Sequence, residues 1–378
     1  MHDERGAGDK GMARRDSLFA VAALVAGAPL LVNNARPDPS TSLRSAAQAA
    51  QRSFGAAVQM AQLRADPAFR AAVLAQCDTL TPELELKWAS IQPEPDRFDF
   101  AAMDNLAAFA RANQRHLHGH TLLWHRSIPA WAKSAMAETR DWGIVHRYFA
   151  TVIERYGPLI EQWDVVNEPI DVIAGESLRR SPFFDIFGPG YIRRALESAR
   201  ALAPKAMLLI NEFGMDYPDQ RDEDRRRSLI GLIDSLKAQG VAFDGVGLQC
   251  HLDLRRGPFD QRIFAAFLGQ LAERGMAVFI TELDVREADR SLPVAQRDRR
   301  VADLAGALVD VALDQPAVRG ITCWGLSDRY SWLNAEGSDR PRPGLNRGLP
   351  LDRALRPKAL HDAIANAFLR HRTSPDRR

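Results

Sequence analysis

The chain contains 378 residues, of which 46% are apolar and 26% are charged, and its formal net charge at pH 7 is only +2. This balance is that of an ordinary globular protein and excludes a collagen-like, wholly disordered or disulfide-dense chain, and the near-neutral charge gives no sign of a nucleic-acid partner. The three cysteines, Cys77, Cys250 and Cys323, allow one disulfide at most, and we expect Cys250 and Cys323 to be buried thiols.

The first 40 residues have the pattern of an export signal followed by a linker. Arg14 and Arg15 precede an apolar stretch, residues 18–32, that is too short for a membrane span and suits the core of a signal peptide. The paired arginines favour the twin-arginine route, with an ordinary secretory signal or a buried helix as alternatives. We therefore expect a periplasmic or secreted protein in which residues 41–378 form one domain without affinity for membranes.

Residues 41–378 repeat a short β-rich run followed by a helical pattern. Strands are predicted at eight places, namely 54–58, 79–81, 116–120, 163–167, 207–211, 245–249, 278–282 and 320–324. Helices are predicted between them, among others at 103–113, 192–203, 225–239, 259–274 and 297–313. Eight such units without clustered hairpins predict an α/β fold, a closed (β/α)8 TIM barrel. An open doubly wound sheet is the alternative, but it normally carries a glycine-rich phosphate-binding turn, which is missing here. The charged run 216–227 is expected to be solvated.

Polar side chains concentrate where the predicted strands end, and this edge of a barrel is the one that carries active sites. They are Lys87, His120, Asn167, Glu168, Gln249, His251, Glu282, Asp284 and Trp324. Glu168 and Glu282 end the fourth and seventh strands, which face each other across a barrel mouth. Two carboxylates about 5–5.5 Å apart are the machinery of a retaining glycosidase, in which one protonates the leaving oxygen and the other attacks the anomeric carbon. We expect their mutual repulsion to raise the pKa of one of them and so to separate the two roles.

Six segments around these residues resemble, in the same order, the motifs of glycoside hydrolase family 10, the endo-β-1,4-xylanases. The segments are Thr81-Pro-Glu-Leu-Glu-Leu-Lys87, Gly119-His-Thr-Leu-Leu-Trp-His125, Trp163-Asp-Val-Val-Asn-Glu168, Gly245-Val-Gly-Leu-Gln-Cys-His251, Ile280-Thr-Glu-Leu-Asp284 and Thr322-Cys-Trp-Gly-Leu-Ser-Asp-Arg-Tyr-Ser-Trp332. The resemblance extends from about residue 54 to about residue 368, so that residues 41–378 are expected to be the catalytic domain of a retaining endo-β-1,4-xylanase.

The resemblance implies that Glu168 is the acid/base and Glu282 the nucleophile. It implies further site residues, namely Lys87, His120, Asn167 and Gln249 against the −1 sugar, Glu83 further out on the glycone side, Trp124, Trp324 and Trp332 as walls, His251 and Asp284 in support of the nucleophile, and Asp164 beneath the acid/base. It also implies that the substrate is xylan or a xylo-oligosaccharide, that the protein is a monomer, and that no metal or cofactor takes part.

Three positions depart from the usual pattern of the family. Leu84 stands where an asparagine is usual, Ser127 where a glutamine is usual, and Phe213 where a tyrosine is usual. All three changes remove hydrogen-bonding groups at the −2 or +1 subsites, whereas the −1 chemistry is intact. A lost neutral hydrogen bond costs about 0.5–1.5 kcal/mol, so affinity for an unbranched xylan is expected to be lower.

Other interpretations of the same residues are possible. His116, His118 and His120 alternate along one strand, as metal ligands do, but a metal site would leave Glu168 unexplained, and His116 and His118 are expected to pack or to support the site. A non-catalytic sugar-binding barrel would keep the tryptophans and lose a carboxylate. Within enzymes, the alternative is another retaining β-glycanase or β-glycosidase that acts on decorated xylan, a mixed glucan or a plant glycoside. Trp88 and Trp142 are expected to pack in the interior.

Overall fold

A computed structural model describes residues 41–172, 177–334 and 345–372 of the chain. These residues belong to one unit that extends from Arg36 to Arg378. The predicted export signal and linker, residues 1–40, lie outside the described residues, and so does the end of the predicted domain, residues 373–378. No helix in the described ranges is long and apolar enough to cross a membrane.

The strands of the described ranges pair in parallel and close into a barrel. In chain order they are β1 (Ser53–Val58), β2 (Thr79–Pro82), β3 (His116–Gly119), β4 (Leu123–Trp124), β5 (Ile160–Asn167), β6 (Met207–Glu212), β7 (Gly245–Leu248), β8 (His251–Asp253), β9 (Ala277–Arg286) and β10 (Val318–Cys323). The eight strands other than the short β4 and β8 form the wall of the barrel and are called staves below. β10 pairs with both β9 and β1, which closes the sheet. The prediction of a (β/α)8 barrel is confirmed.

Helices alternate with the staves and cover the outside of the barrel. In chain order they are α1 (Leu43–Ala49), α2 (Met60–Ala65), α3 (Pro67–Gln76), α4 (Trp88–Ile91), α5 (Ala101–Ala112), α6 (Ala130–Thr139), α7 (Gly143–Tyr156), α8 (Pro182–Phe187), α9 (Tyr191–Leu202), α10 (Gln220–Ala238), α11 (Gln261–Glu273), α12 (Val294–Asp314) and α13 (Ala359–Arg370). Several begin where a Ser or Asp side chain accepts a hydrogen bond from a free N–H group of the first turn, as Asp66 does for α3 and Asp260 for α11.

The strand positions were predictable because parallel staves are buried on both faces and are therefore continuously apolar. Two strand boundaries differ from the prediction by three residues or more. β5 begins three residues early, at Ile160, because the polar pair Glu161 and Gln162 still belongs to the strand. β9 continues four residues beyond Glu282, because the short β8 pairs with its end, with His251 opposite Asp284.

The prediction that residues 216–227 are solvated holds for only part of this run. Four charged side chains of this run are buried, namely Asp216, Asp222, Arg225 and Arg226. Asp222 accepts hydrogen bonds from the backbone N–H groups of Asp216 and Tyr217 and from the guanidinium of Arg256, which is distant in sequence. Because a partner such as Arg256 comes from a distant part of the chain, a charged side chain can be buried without any local sign in the sequence.

The remaining expectations for buried side chains hold with one exception. Trp88 and Trp142 are buried, and all three cysteines are buried free thiols. His116, however, is exposed at the start of β3, so it neither packs nor supports the site.

Candidate active site

A cleft of about 590 Å³ opens at the carboxyl ends of the staves. Ten of the residues predicted for the site line it, namely Lys87, His120, Trp124, Asn167, Glu168, Gln249, His251, Glu282, Trp324 and Trp332. His125, Arg126 and Arg179 also line it, although the sequence did not single them out as site residues, and so does Phe213, one of the three departures from the family pattern. The remaining predicted residues, Glu83, Asp164 and Asp284, are not part of this lining.

The carboxylate of Glu282 is held by two side chains. Nδ2 of Asn211 donates to its Oε1 at 2.7 Å, and Nε2 of His251 lies 3.2 Å from its Oε2. The other nitrogen of His251, Nδ1, lies 2.9 Å from Oδ1 of Asp284. Because ionised carboxylates only accept hydrogen bonds, both ring nitrogens of His251 must carry hydrogens, and the ring is an imidazolium. Burial works against this charge, but Asp284 and Glu282 raise the pKa of His251 well above its usual value.

The surrounding charges keep Glu282 ionised. Burial works to raise the pKa of this carboxyl, but His120, His251 and the ammonium of Lys87 hold it below its usual value. A buried carboxylate that is ionised, oriented and directed into a cleft is suited to act as a nucleophile.

Asn211 was not predicted as a site residue, although it ends the predicted fifth strand. Its Oδ1 accepts a hydrogen bond of 2.7 Å from the hydroxyl of Thr281, which fixes the orientation of the amide and directs Nδ2 toward Glu282 and toward Oδ1 of Asn167. Gly247 on the neighbouring strand makes room for this side chain, since a Cβ at that position would lie 2.1 Å from Oδ1 of Asn211.

Glu168 has looser contacts than Glu282. Its Oε1 accepts a hydrogen bond of 3.4 Å from Nε2 of Gln249, and its Oε2 lies 4.0 Å from Nδ1 of His125. Burial lowers the pKa of His125 to about 4, so this ring is neutral near pH 7. The site therefore contains one carboxylate that is firmly bound and charge-compensated and a second that has only longer contacts, and this asymmetry suits a nucleophile and an acid/base.

Lys87 and two tryptophans form a wall of the cleft. Nζ of Lys87 lies 4.5 Å from the ring centroid of Trp124 and 5.8 Å from that of Trp324. Burial lowers the pKa of Lys87 to about 8, against the opposing charge of Glu282. The Trp324 ring meets the imidazole of His120 edge to face, at a centroid distance of 5.2 Å. Aromatic faces beside a donor are suited to bind the apolar face and the hydroxyls of a sugar.

Asp164 holds His118 of β3 and His120, which follows that strand, rather than Glu168. Nε2 of His118 and Nδ1 of His120 both lie 2.8 Å from its Oδ2. These three buried groups are close enough together to be considered as metal ligands. However, Nδ1 of His118 faces Nε2 of Gln162 at 2.8 Å, which makes Nδ1 the acceptor and leaves the hydrogen on Nε2. A protonated nitrogen cannot ligate a metal, so the cluster fits a hydrogen-bonded support of His120 better than a metal site.

Asp284 and Glu83 also have partners of their own. Oδ2 of Asp284 accepts a hydrogen bond of 2.5 Å from the indole of Trp332, so Asp284 connects this wall to His251. Oε2 of Glu83 accepts a hydrogen bond from Gln59, and burial raises the pKa of its carboxyl.

A closed (β/α)8 barrel with this pair of unlike carboxylates at its mouth, between aromatic walls, defines a glycoside hydrolase. The sequence profile described as glycosyl hydrolase family 10 matches residues 42–367, and the chain belongs to this family.

Individual relatives agree with this assignment. The chain is 31% identical over 299 residues to endo-1,4-beta-xylanase B of Thermotoga neapolitana, with 75% of this chain and 79% of the relative covered. It is 30% identical over 336 residues to endo-1,4-beta-xylanase C of Phanerodontia chrysosporium, with 88% and 80% covered. Among solved structures, xylanase 10B from Thermotoga petrophila in complex with xylobiose superposes with a TM-score of 0.79 at 29% identity, over 88% of this chain and 98% of that one.

Proposed function

We propose that the protein is a retaining endo-β-1,4-xylanase that hydrolyses internal β-1,4-xylosidic bonds by double displacement. The observation that carries this proposal is the asymmetry of the two carboxylates. Glu282 lies between the amide of Asn211 and the imidazolium of His251, whereas Glu168 has only the contacts at 3.4 and 4.0 Å. Relatives over most of this chain are named endo-1,4-beta-xylanases, which supports the choice of substrate.

In the first step, Glu282 attacks the anomeric carbon of the −1 xylose while Glu168 gives its proton to the glycosidic oxygen. The bond between sugar and aglycone breaks, and a covalent xylosyl ester forms on Glu282. In the second step, Glu168 takes a proton from water, the water oxygen attacks the anomeric carbon, and Glu282 leaves. Two inversions retain the β configuration. We assign Lys87, His120, Asn167 and Gln249 to the binding of the −1 sugar and Trp124, Trp324 and Trp332 to the walls of the cleft.

Proton NMR of a digest of xylohexaose tests this mechanism directly. The first product to accumulate is expected to be the β-anomer, which then mutarotates. An initial α-anomer would contradict the double displacement. No hydrolysis of either xylohexaose or an aryl β-xylobioside would instead favour a barrel that binds sugars without cleaving them.

Which polysaccharide the enzyme prefers is a separate part of the proposal. Leu84 is half-exposed and offers apolar surface in place of an amide. A related activity on decorated xylan or a mixed glucan is therefore the second candidate. A product profile on linear xylan, glucuronoxylan, arabinoxylan and mixed-linkage glucan distinguishes the two, since an unbranched-xylan enzyme releases xylobiose and xylotriose fastest from the first.

We further propose that the protein is exported by the twin-arginine route and that the mature protein is a monomer. The support is the sequence of residues 1–40, with Arg14 and Arg15 before a mild apolar core. Expression with both arginines changed to lysine is expected to leave an uncleaved precursor inside the cell. Light scattering of the mature protein tests whether it is monomeric.

A further inference from the structure

Glu168 has an unusual backbone conformation. Its φ is +57°, in the left-handed region that side chains other than glycine seldom adopt. Such a conformation persists only where the surroundings impose it, and it is common at functional sites. The N–H of Glu168 donates to the carbonyl of Asn211 at 2.8 Å, and the carbonyl of Glu168 accepts from Nε of Arg179 at 2.8 Å.

The chain just after Glu168 is held by a second buried carboxylate, that of Glu212 at the end of β6. Oε2 of Glu212 accepts the backbone N–H of Ile170 at 2.7 Å. Its Oε1 accepts the N–H of Phe213 at 2.9 Å and Nη2 of Arg225 at 2.6 Å. Glu212 therefore joins the segment that carries Glu168 to the neighbouring stave, two residues beyond the acid/base.

Arg225 of α10 supplies a charge next to Glu212 and is as fully buried as its partner. Burial raises the pKa of the Glu212 carboxyl to about 7, and this guanidinium opposes the shift. Its Nε donates to the carbonyl of Phe213 at 2.8 Å, and its guanidinium lies 4.2 Å from the centroid of the Phe213 ring. A buried carboxylate without a counter-charge takes up a proton. A protonated Glu212 would carry a hydrogen on an oxygen that now accepts from Ile170 or from Arg225.

We infer that Glu212, paired with Arg225, is a positioning residue for the acid/base and holds the segment from Glu168 to Ile170 so that the carboxyl of Glu168 reaches the glycosidic oxygen. This inference rests on the proposed function. Glu212 touches neither the cleft nor the sugar, and its effect is exerted through the backbone of the segment. Proton transfer requires the donor and acceptor within hydrogen-bond reach, so a small displacement of this segment weakens general acid catalysis.

The test is the leaving-group dependence of Glu212→Gln. The substitution keeps the size of the side chain, but its amide NH2 must face either Ile170 N–H or Arg225, donor against donor. With phenyl β-xylobioside, whose poor leaving group needs the proton of Glu168, kcat/KM is expected to fall at least about tenfold. With 2,4-dinitrophenyl β-xylobioside, which needs no proton in its first step, kcat/KM is expected to change less than about twofold.

Glu287→Gln is the matched control. Glu287 is also a buried glutamate just after a stave, and Arg297 binds it through both oxygens at 2.7 and 2.8 Å, but neither residue contacts the segment of Glu168. The control is expected to lower the melting temperature and to leave the ratio of the two kcat/KM values unchanged.

The outcomes separate the two proposals. A selective loss in Glu212→Gln, with no such selectivity in Glu287→Gln, supports positioning by Glu212. An equal loss on both substrates, or the same selectivity in the control, overturns it. If the parent hydrolyses neither substrate, the proposed function itself fails. If Glu212→Gln does not fold, Arg225→Lys takes its place, because it keeps the positive charge and removes the planar guanidinium. A selective loss of kcat/KM of at least about threefold on the phenyl substrate is then required to support the inference.

Discussion

Nδ2 of Asn211 donates a hydrogen bond of 2.7 Å to Oε1 of Glu282, while the backbone carbonyl of the same asparagine accepts the N–H of Glu168. One residue at the end of β6 thus contacts the side chain of one catalytic candidate and the backbone of the other. Its side chain fits only because the neighbouring strand has a glycine at position 247.

Gly247→Ala is expected to impair the nucleophile. The new methyl would lie 2.1 Å from Oδ1 of Asn211, so the amide must turn away from Glu282. We expect kcat/KM to fall about tenfold or more on aryl xylobiosides with good and with poor leaving groups alike, because attack by Glu282 is common to both. Gly231→Ala on α10 is the control, since its added Cβ meets no atom within 4 Å. Unchanged kinetics of Gly247→Ala would contradict this role of Asn211.

The roles of the two carboxylates are tested by chemical rescue. Glu282→Ala is expected to be inactive, and azide is expected to restore turnover with an α-xylobiosyl azide as product, because azide enters from the face that the carboxylate has left. Glu168→Ala is expected to retain the first step with dinitrophenyl leaving groups and to give a β-azide. NMR of the two azides identifies the anomers, and the opposite pairing would reverse the assignment.

The sequence predicted the features that depend on local residue patterns. It did not predict the contacts between residues that are distant in sequence. The pattern of eight apolar runs and the polar residues after them located the staves, and with them Glu168, Glu282 and His251. Asn211 could not be recognised in this way, since its contact depends on Gly247 in another strand. Arg225 looked solvated because its partner, Glu212, lies on a different element. Electrostatic pairs between elements have no local signature.

The pH dependence of substrate binding is expected to follow the loss of the ammonium charge of Lys87. Burial lowers its pKa to about 8, so Lys87 is an ammonium below that pH and neutral above it. As the pH rises through 8, the cleft loses a charged donor and KM for xylo-oligosaccharides is expected to rise. Lys87→Met is expected to have a higher KM at pH 7 and a flatter profile from pH 7 to 9. Lys133→Met, on the exposed face of α6, is the control, and equal slopes for parent and Lys87→Met would contradict the assignment.

The charge of His251 is expected to stabilise the fold in a pH-dependent way. Burial opposes this charge, but Asp284 and Glu282 raise the pKa of His251 well above its unfolded value of about 6.5. Its contribution to stability is therefore complete below about pH 6.5 and is lost as the pH rises through its higher folded pKa. The difference in melting temperature between parent and His251→Gln should accordingly shrink as the pH rises from 6 to 10. His116→Gln, at an exposed position, provides the baseline. A constant difference for His251→Gln would mean that the ring is neutral in the fold.

Two kinds of contact decide the substrate specificity: a steric clash that excludes the wrong sugar at −1, and hydrogen bonds that bind the right sugar further out. Only the hydrogen bonds are weakened in this chain. Xylose lacks the hydroxymethyl group of glucose, and a tryptophan pressed over the −1 sugar leaves no room for that group. Trp324 and Trp332 both line the cleft, and the Trp332 ring lies 5.4 Å from that of His251. We therefore expect subsite −1 to prefer xylose and subsite −2 to bind its sugar with lower affinity.

Leu84→Asn is expected to lower KM on xylotriose. Leu84 is 51% exposed, so a polar side chain there stays solvated until it meets a sugar hydroxyl. One regained neutral hydrogen bond of about 0.5–1.5 kcal/mol corresponds to a two- to tenfold lower KM with kcat unchanged. Val294→Asn is the matched control, because Val294 is equally exposed, at 52%, but begins α12 and belongs to none of the segments that directly follow a strand end. If Leu84→Asn brings no gain while the parent degrades a mixed-linkage glucan well, xylan is not the principal substrate and the apolar surface of Leu84 serves a different sugar.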